Sequence, residues 1–140
     1  MRIAVRSLVL LHAALAAAAC AGNPQPGDPG YRYNVSGAYA AAFVVEGTPY
    51  SGTASLTTAA GGAVTGPVVI TNPMTVNMSA AGTVVADSLR LTIPYTMPDG
   101  CNGTAYLSGT VTAGGDSAGG VMSVDDSCGG TLGGTFTLTR

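Results

Sequence analysis

Apolar and polar residues alternate along almost the whole chain after residue 30, and this alternation limits the possible folds more than any other feature. In residues 89–95 every second residue is apolar, beginning at Leu89. The same period of two recurs in residues 39–45, 50–57, 64–70, 74–80, 105–111 and 132–138. Successive side chains of a β-strand point to opposite faces, so this period predicts half-buried antiparallel strands. No stretch after residue 30 has a helical period.

Turn signals separate these alternating segments at intervals of about ten residues, a spacing typical of strands joined by short turns. They are Gly47-Thr48-Pro49, Gly61-Gly62, Asn72-Pro73, Ala81-Gly82, Pro98-Asp99-Gly100, Gly114-Gly115 and Gly129-Gly130. The pattern predicts an all-β domain, an antiparallel meander of about 8 to 10 short strands.

A sheet of that length must protect its edges, and closing into a small barrel does so. Small residues on the predicted inner face favour a narrow barrel: Gly52, Ala54, Gly66, Gly109 and Gly134. The alternative is a two-sheet β-sandwich. The layout resembles the small up-and-down barrels of the calycin and avidin type in architecture only, since the chain lacks the Trp residues typical of those families.

The segment around Gly114-Gly115 supports one strand register. A two-residue turn there pairs residues whose numbers sum to 229, and Cys101 and Cys128 satisfy this sum. The same register sets apolar residues opposite each other, as in Leu107 and Met122. We therefore expect a Cys101–Cys128 disulfide, which requires an oxidising compartment.

The first twenty residues have the features of an export signal. Two arginines precede an apolar segment of about a dozen residues, and Ala17-Ala18-Ala19 then precedes Cys20. A membrane-spanning helix needs about 20 apolar residues, so this segment is too short to span. It resembles bacterial lipoprotein signals, although the small-residue box has Ala17 where that family commonly has Leu. The resemblance implies cleavage before Cys20, lipidation of Cys20 and anchoring in a membrane.

The chain is expected to divide into a signal peptide (1–19), a lipidated cysteine with a Pro- and Gly-rich linker (20–30) and a barrel domain (31–140). Cys20 is the odd cysteine left by the predicted disulfide, and lipidation accounts for it. The expected location is the bacterial cell envelope, at the outer membrane or cell surface. The alternative is simple secretion, with cleavage near Ala19 or Ala21.

Composition argues against several functions. The chain has no Lys, and after residue 20 only three arginines face seven acids, so there is no basic surface for nucleic acid. His12 is the only histidine and lies in the leader, which argues against Ser-His and Cys-His nucleophiles and against zinc sites of the usual kind. Glu46 is the only glutamate. We expect no enzyme activity, no cofactor and no metal.

Two weaker signals involve polar residues. Asp125 and Asp126, with Asp116 or Asp99, have the oxygen ligands that calcium prefers, but the EF-hand spacing is absent and a role in turns is favoured. Tyr31, Tyr33 and Tyr39 cluster near the first strand. We expect them to pack in the core or at the barrel rim rather than to bind a ligand.

Three functions follow as hypotheses. The first is a non-enzymatic envelope lipoprotein that displays a small disulfide-closed β domain for protein contact or envelope structure. The second is a barrel that binds a small apolar ligand, with a candidate site at Met74, Met78, Leu89, Leu91 and Phe136. The third is a fibre subunit or adhesin that assembles by strand addition. An empty interior favours the second, and an unpaired terminal strand favours the third.

Overall fold

The computed structural model describes residues 31 and 33–140, so the predicted signal peptide, Cys20 and the linker lie outside the described residues. The described chain forms eight strands and no helix, and thus has no helical segment long and apolar enough to cross a membrane. The strands are β1 (Gly37–Val45), β2 (Thr48–Thr58), β3 (Ala63–Asn72), β4 (Val76–Val85), β5 (Ser88–Thr96), β6 (Asn102–Val111), β7 (Ser117–Asp126) and β8 (Gly130–Thr139).

The eight strands form a closed antiparallel barrel in which each strand pairs with its neighbours in sequence. β1 closes the barrel by pairing with β8, from Ala40 opposite Thr139 to Val45 opposite Gly134. The predicted meander and barrel are therefore confirmed, and the sandwich alternative is not what forms. Closure also gives both terminal strands two partners, so the condition that favoured strand addition is not met.

Six of the seven turn signals lie at strand connections, and one prediction was wrong. The β1–β2 turn consists of Glu46 and Gly47, whose φ angles of 45° and 81° suit the two-residue turns of twisted hairpins. Ala81-Gly82, in contrast, lies inside β4, and the chain turns at residues 86–87 instead. Gly82 is needed for close strand contact, because a Cβ there would lie 1.9 Å from the Arg90 carbonyl oxygen.

The inward residues of all eight strands form the core of the barrel. Its buried side chains are aliphatic or aromatic, together with the thioether of Met122, and no polar or charged residue in the described chain is buried. The small inward residues make room for large ones. A Cβ on Gly109 would lie 2.9 Å from the ring of Phe136, whose side chain is among the largest that are fully buried. A side chain at residue 109 would also lie 2.2 Å from the Gly119 carbonyl oxygen, so both the neighbouring strand and the Phe136 ring require glycine there.

The β6–β7 hairpin has the predicted register, with Leu107 opposite Met122. Its turn is longer than expected, because β6 ends at Val111 and the N–H of Thr112 donates to the carbonyl of Ser117. The loop of residues 113–116 is centred on the same glycine pair, so the longer turn leaves the register unchanged. Cys101 and Cys128 are joined, which confirms the predicted disulfide.

Candidate ligand-binding site

One end of the barrel, here called the closed end, is covered by the segment that precedes β1. The side chain of Val35 is only 1% exposed and packs into the core. Its N–H donates to the hydroxyl of Thr58 at 3.0 Å, and the N–H of Thr58 donates to the hydroxyl of Ser36 at 2.8 Å. These bonds hold the segment against the end of β2.

Tyr39 and Arg140 complete the closed end. The buried hydroxyl of Tyr39 donates to the carbonyl of Gly115 at 2.7 Å, and the Arg140 guanidinium donates to that hydroxyl at 2.9 Å. Arg140 also donates to the carbonyl of Ser36, lies 4.9 Å from the centre of the Tyr39 ring and is 3.7 Å from Asp116. The segment before β1 and the residue after β8 thus meet at this end. Tyr39 has the structural role expected from sequence.

The opposite end, here called the open end, contains a cavity of about 140 Å³. The cavity lies between the last residues of β1, β3, β5 and β7 and the first residues of the strands that follow them, since antiparallel strands alternate in direction. The wall is almost entirely apolar. It is formed by Phe43, Val45, Tyr50, Ile70, Val76, Met78, Ile93, Tyr95, Met97, Ala105, Met122, Val124, Asp126 and Leu132.

The polar part of this wall is a hydrogen-bonded pair. The hydroxyl of Tyr95 donates to Oδ2 of Asp126 at 2.5 Å. Oδ1 of Asp126 accepts the backbone N–H groups of Cys128 at 2.8 Å and Gly129 at 2.7 Å, which also stabilises the β7–β8 turn. The pair joins the end of β5 to the end of β7 at the cavity rim.

The surroundings of Tyr95 and Asp126 favour the neutral form of the tyrosine and the ionised form of the aspartate. Burial, followed by the hydrogen bond and the charge of Asp126, raises the pKa of Tyr95 well above its usual value. The hydrogen bond from Tyr95, then those from Cys128 and Gly129, lower the pKa of Asp126. The cavity rim therefore carries a fixed negative charge near neutral pH.

The disulfide connects the two loops beside this pair. Cys101 is the last residue of the β5–β6 loop, and its carbonyl accepts the N–H of Met97 at 2.7 Å. Cys128 lies in the β7–β8 turn. The two Cα atoms are 5.7 Å apart. Because Met97 and Asp126 both line the cavity, the bond constrains the two loops that carry part of its rim.

Of the five residues predicted to bind a ligand, one lines this cavity. Met78 does so, whereas Leu89, Leu91 and Phe136 are buried in the packed half of the interior. Met74 is 38% exposed and lies in the loop before β4, where the strand alternation no longer directs its side chain inward. Alternation identifies the inward face of a strand, but it does not say which end of the barrel is hollow.

The sequence analysis missed Tyr95 and Asp126 as a pair. Both share the inward parity of their strands, since Ile93 precedes Tyr95 by two residues and Val124 precedes Asp126 by two. An acid at an inward position is unusual and was a usable signal. Asp126 was instead interpreted with its outward neighbour Asp125, whose carboxylate accepts the Thr131 hydroxyl at 3.1 Å.

The acidic residues considered for calcium do not converge. Asp116 is at the closed end with Arg140, far from the pair Asp125 and Asp126 in the barrel. Asp99 accepts the N–H of Cys101 at 3.1 Å, as expected for an aspartate in a turn. Asp126 is close to Cys101 and Cys128, but their sulfurs are bonded to each other.

A second hollow of about 500 Å³ lies at the closed end. It is bounded by Tyr31 and Tyr33 and by residues of the β2–β3 and β4–β5 turns, mostly Ala and Gly. The two tyrosine rings pack edge to face at 4.9 Å, and the Tyr31 hydroxyl donates to the carbonyl of Ala113. These contacts give the tyrosines the packing role expected from sequence. The smaller, apolar cavity is the better candidate for a ligand.

No family model and no curated protein matches this chain. A solved structure of a de novo designed fluorescence-activating β-barrel is similar, with a TM-score of 0.46 and 15% sequence identity over 72% of this chain and 90% of the designed one. The chain is a small eight-stranded antiparallel β-barrel that resembles this designed barrel.

Proposed function

We propose that this protein is a non-enzymatic β-barrel that binds a small apolar ligand at its open end. The observation that carries the proposal is the 140 Å³ apolar cavity, which is confined to that end. An engineered apolar cavity of about 150 Å³ in another protein accepts benzene, so a single ring or short chain is the appropriate size. A barrel used only for display needs no such space.

The cavity contrasts with the ordinary packing of protein interiors. Voids larger than a water molecule are few in a domain, and hollowing a core costs stability. The other half of this interior is filled by residues such as Leu89 and Phe136. The cavity wall includes Met78, Met97 and Met122, whose flexible, polarisable side chains adapt to different apolar shapes.

Binding of toluene and indole to the purified protein, followed by calorimetry, tests this function. We expect both to bind, and Ala105→Leu to abolish binding because the larger side chain fills the cavity that Ala105 lines. Ala40→Leu is the matched control, since Ala40 is exposed on the outer face of β1. Absence of binding in the wild type, or equal loss in both variants, contradicts the proposal.

We also propose that residues 1–19 are removed and that Cys20 carries a lipid that anchors the barrel to the bacterial envelope. The support is the small-residue box before Cys20 and the pairing of the other two cysteines with each other. Several acyl chains hold a protein firmly, whereas one holds it weakly. We expect Cys20→Ser to release the protein from membranes. An unmodified mature N-terminus in mass spectrometry contradicts the anchor and favours simple secretion.

A further inference from the structure

The charged group at the cavity narrows the class of ligand. Among the described residues of the cavity wall, Asp126 is the one ionisable group apart from two tyrosines, Tyr50 and Tyr95. Its Oδ1 accepts two backbone N–H groups and its Oδ2 accepts one hydroxyl. A carboxylate has about four acceptor positions, so one position on Oδ2 is left for a further donor.

The other described charges at the open end have the same sign. Glu46 in the β1–β2 turn, Asp99 in the β5–β6 loop and Asp125 at the end of β7 are all acidic. The described arginines lie elsewhere: Arg90 is near the start of β5, toward the closed end, and Arg140 is at the closed end itself. The field at the rim therefore repels a carboxylate or phosphate and attracts a cation.

The aromatic residues point to the same ligand chemistry. Tyr50 and Tyr95 both line the cavity, and they are close enough for Tyr50 to contribute to the raised pKa of Tyr95. Aromatic faces attract ammonium groups, and the attraction increases when the site is partly desolvated. A carboxylate beside two tyrosines, above an apolar pocket, is an arrangement suited to an organic cation.

We infer that the ligand is an amphiphilic amine: an apolar ring or short chain enters the cavity while its ammonium group donates to Oδ2 of Asp126 beside Tyr50 and Tyr95. This inference rests on the proposed function and specifies its ligand class. An anionic amphiphile such as a fatty acid is disfavoured, because it would bring a carboxylate against Asp126.

Three C7 probes of nearly equal size test the inference: benzylammonium, benzyl alcohol and benzoate. Calorimetry on the wild-type protein is expected to show benzylammonium binding about tenfold more tightly than benzyl alcohol, because both can donate to Oδ2 but only the ammonium adds the attraction of an opposite charge. Benzoate is expected to bind most weakly. Equal affinities for the three probes, or a preference for benzoate, overturn the inference and leave the proposed function intact. Failure of all three to bind overturns the proposed function as well.

Asp126→Asn removes the charge with little change in shape. Its amide oxygen can still accept the turn N–H groups, while its NH2 group replaces Oδ2 and can donate to the Tyr95 hydroxyl. We expect it to remove the tenfold preference while benzyl alcohol still binds, because a hydroxyl can accept from the new NH2 group as well as donate. Asp87→Asn is the matched control: Asp87 is exposed in the β4–β5 turn at the closed end and lies outside the cavity wall, so its loss is expected to leave the preference unchanged. Raising the salt concentration on the wild type gives a second measure, because screening weakens only the benzylammonium interaction. A preference that survives both Asp126→Asn and high salt overturns the inference.

Discussion

The two ends of this barrel are built from the same alternating strands but are completed in different ways. At the closed end, the residues before β1 cover the core, and Arg140 joins that segment to Tyr39 and to the β6–β7 loop through hydrogen bonds. At the open end no described segment covers the interior, and a disulfide joins two loops at the rim. Because the closed end is covered, the candidate binding site lies at the open end.

The boundary between the two halves passes between two phenylalanines. Phe43 and Phe136 are direct neighbours across the β1–β8 pair, and both point inward. Phe136 is packed against the glycine at 109, whereas Phe43 borders the cavity. Side chains of one type and similar burial therefore have different surroundings, which allows the comparison to be tested directly.

The largest expected effect is from truncating these two rings. Phe136→Ala is expected to lower the free energy of unfolding by about 3–5 kcal/mol, since it removes a ring from a filled core. Phe43→Ala is expected to cost less, because part of the Phe43 ring already lacks packing partners on the cavity side. Urea unfolding of both variants measures the difference. Equal costs would mean that the open half is as well packed as the closed half.

The disulfide is expected to be the next largest contribution. It closes a loop with a sequence separation of 27 residues, so replacing both cysteines by serine is expected to lower the free energy of unfolding by about 3–4 kcal/mol in the chain-entropy model. Hydrogen exchange is expected to rise in the loops at the rim but not at the N–H of Val35. Faster exchange at Val35, without global unfolding, would show that the two ends are coupled.

Enlarging an inward side chain in each half tests whether the closed half is better packed than the open half. Ala118→Leu adds bulk beside Val111 and Leu138 in the packed half and is expected to cost about 1–3 kcal/mol. Ala105→Leu enters the cavity and is expected to cost less than Ala118→Leu, because the space is already there. Thermal unfolding of the two variants decides the matter. A greater loss from Ala105→Leu would indicate that the cavity wall cannot accept a side chain of that size.

The sequence predicts the barrel better than it predicts the cavity. Strand alternation and turn residues are local properties, so a meander of about 8 to 10 strands and the β6–β7 register follow from them. Gly82 misleads because close strand contact requires glycine inside a strand, and the β6–β7 turn is longer than predicted. The position of the cavity depends on which inward side chains meet across the barrel. Leu89 and Met78 share the same inward signal, yet one is in the packed half and the other lines the cavity.

The smallest expected effect is on the pH dependence of stability, and it concerns Tyr95 and Asp126. The pKa of Asp126 is lowered in the folded protein. Its contribution to the free energy of unfolding is therefore present above the usual pKa of 3.8 and is lost as the pH falls through the folded-state pKa. The pKa of Tyr95 is raised in the folded protein. Its contribution to the free energy of unfolding is therefore complete below the usual pKa of 10.0 and decreases as the pH rises above that value.

Tyr95→Phe should therefore flatten the alkaline decrease in the free energy of unfolding, because phenylalanine has no proton to lose. Tyr106→Phe is the control: Tyr106 is 46% exposed, lies on the outer face and does not border the cavity. Urea unfolding of both variants and the wild type between pH 9 and 11 measures the difference. If Tyr95→Phe and the wild type lose stability equally over this range, the hydroxyl of Tyr95 is not held neutral by Asp126 and by burial, and the rim is more hydrated than its geometry indicates.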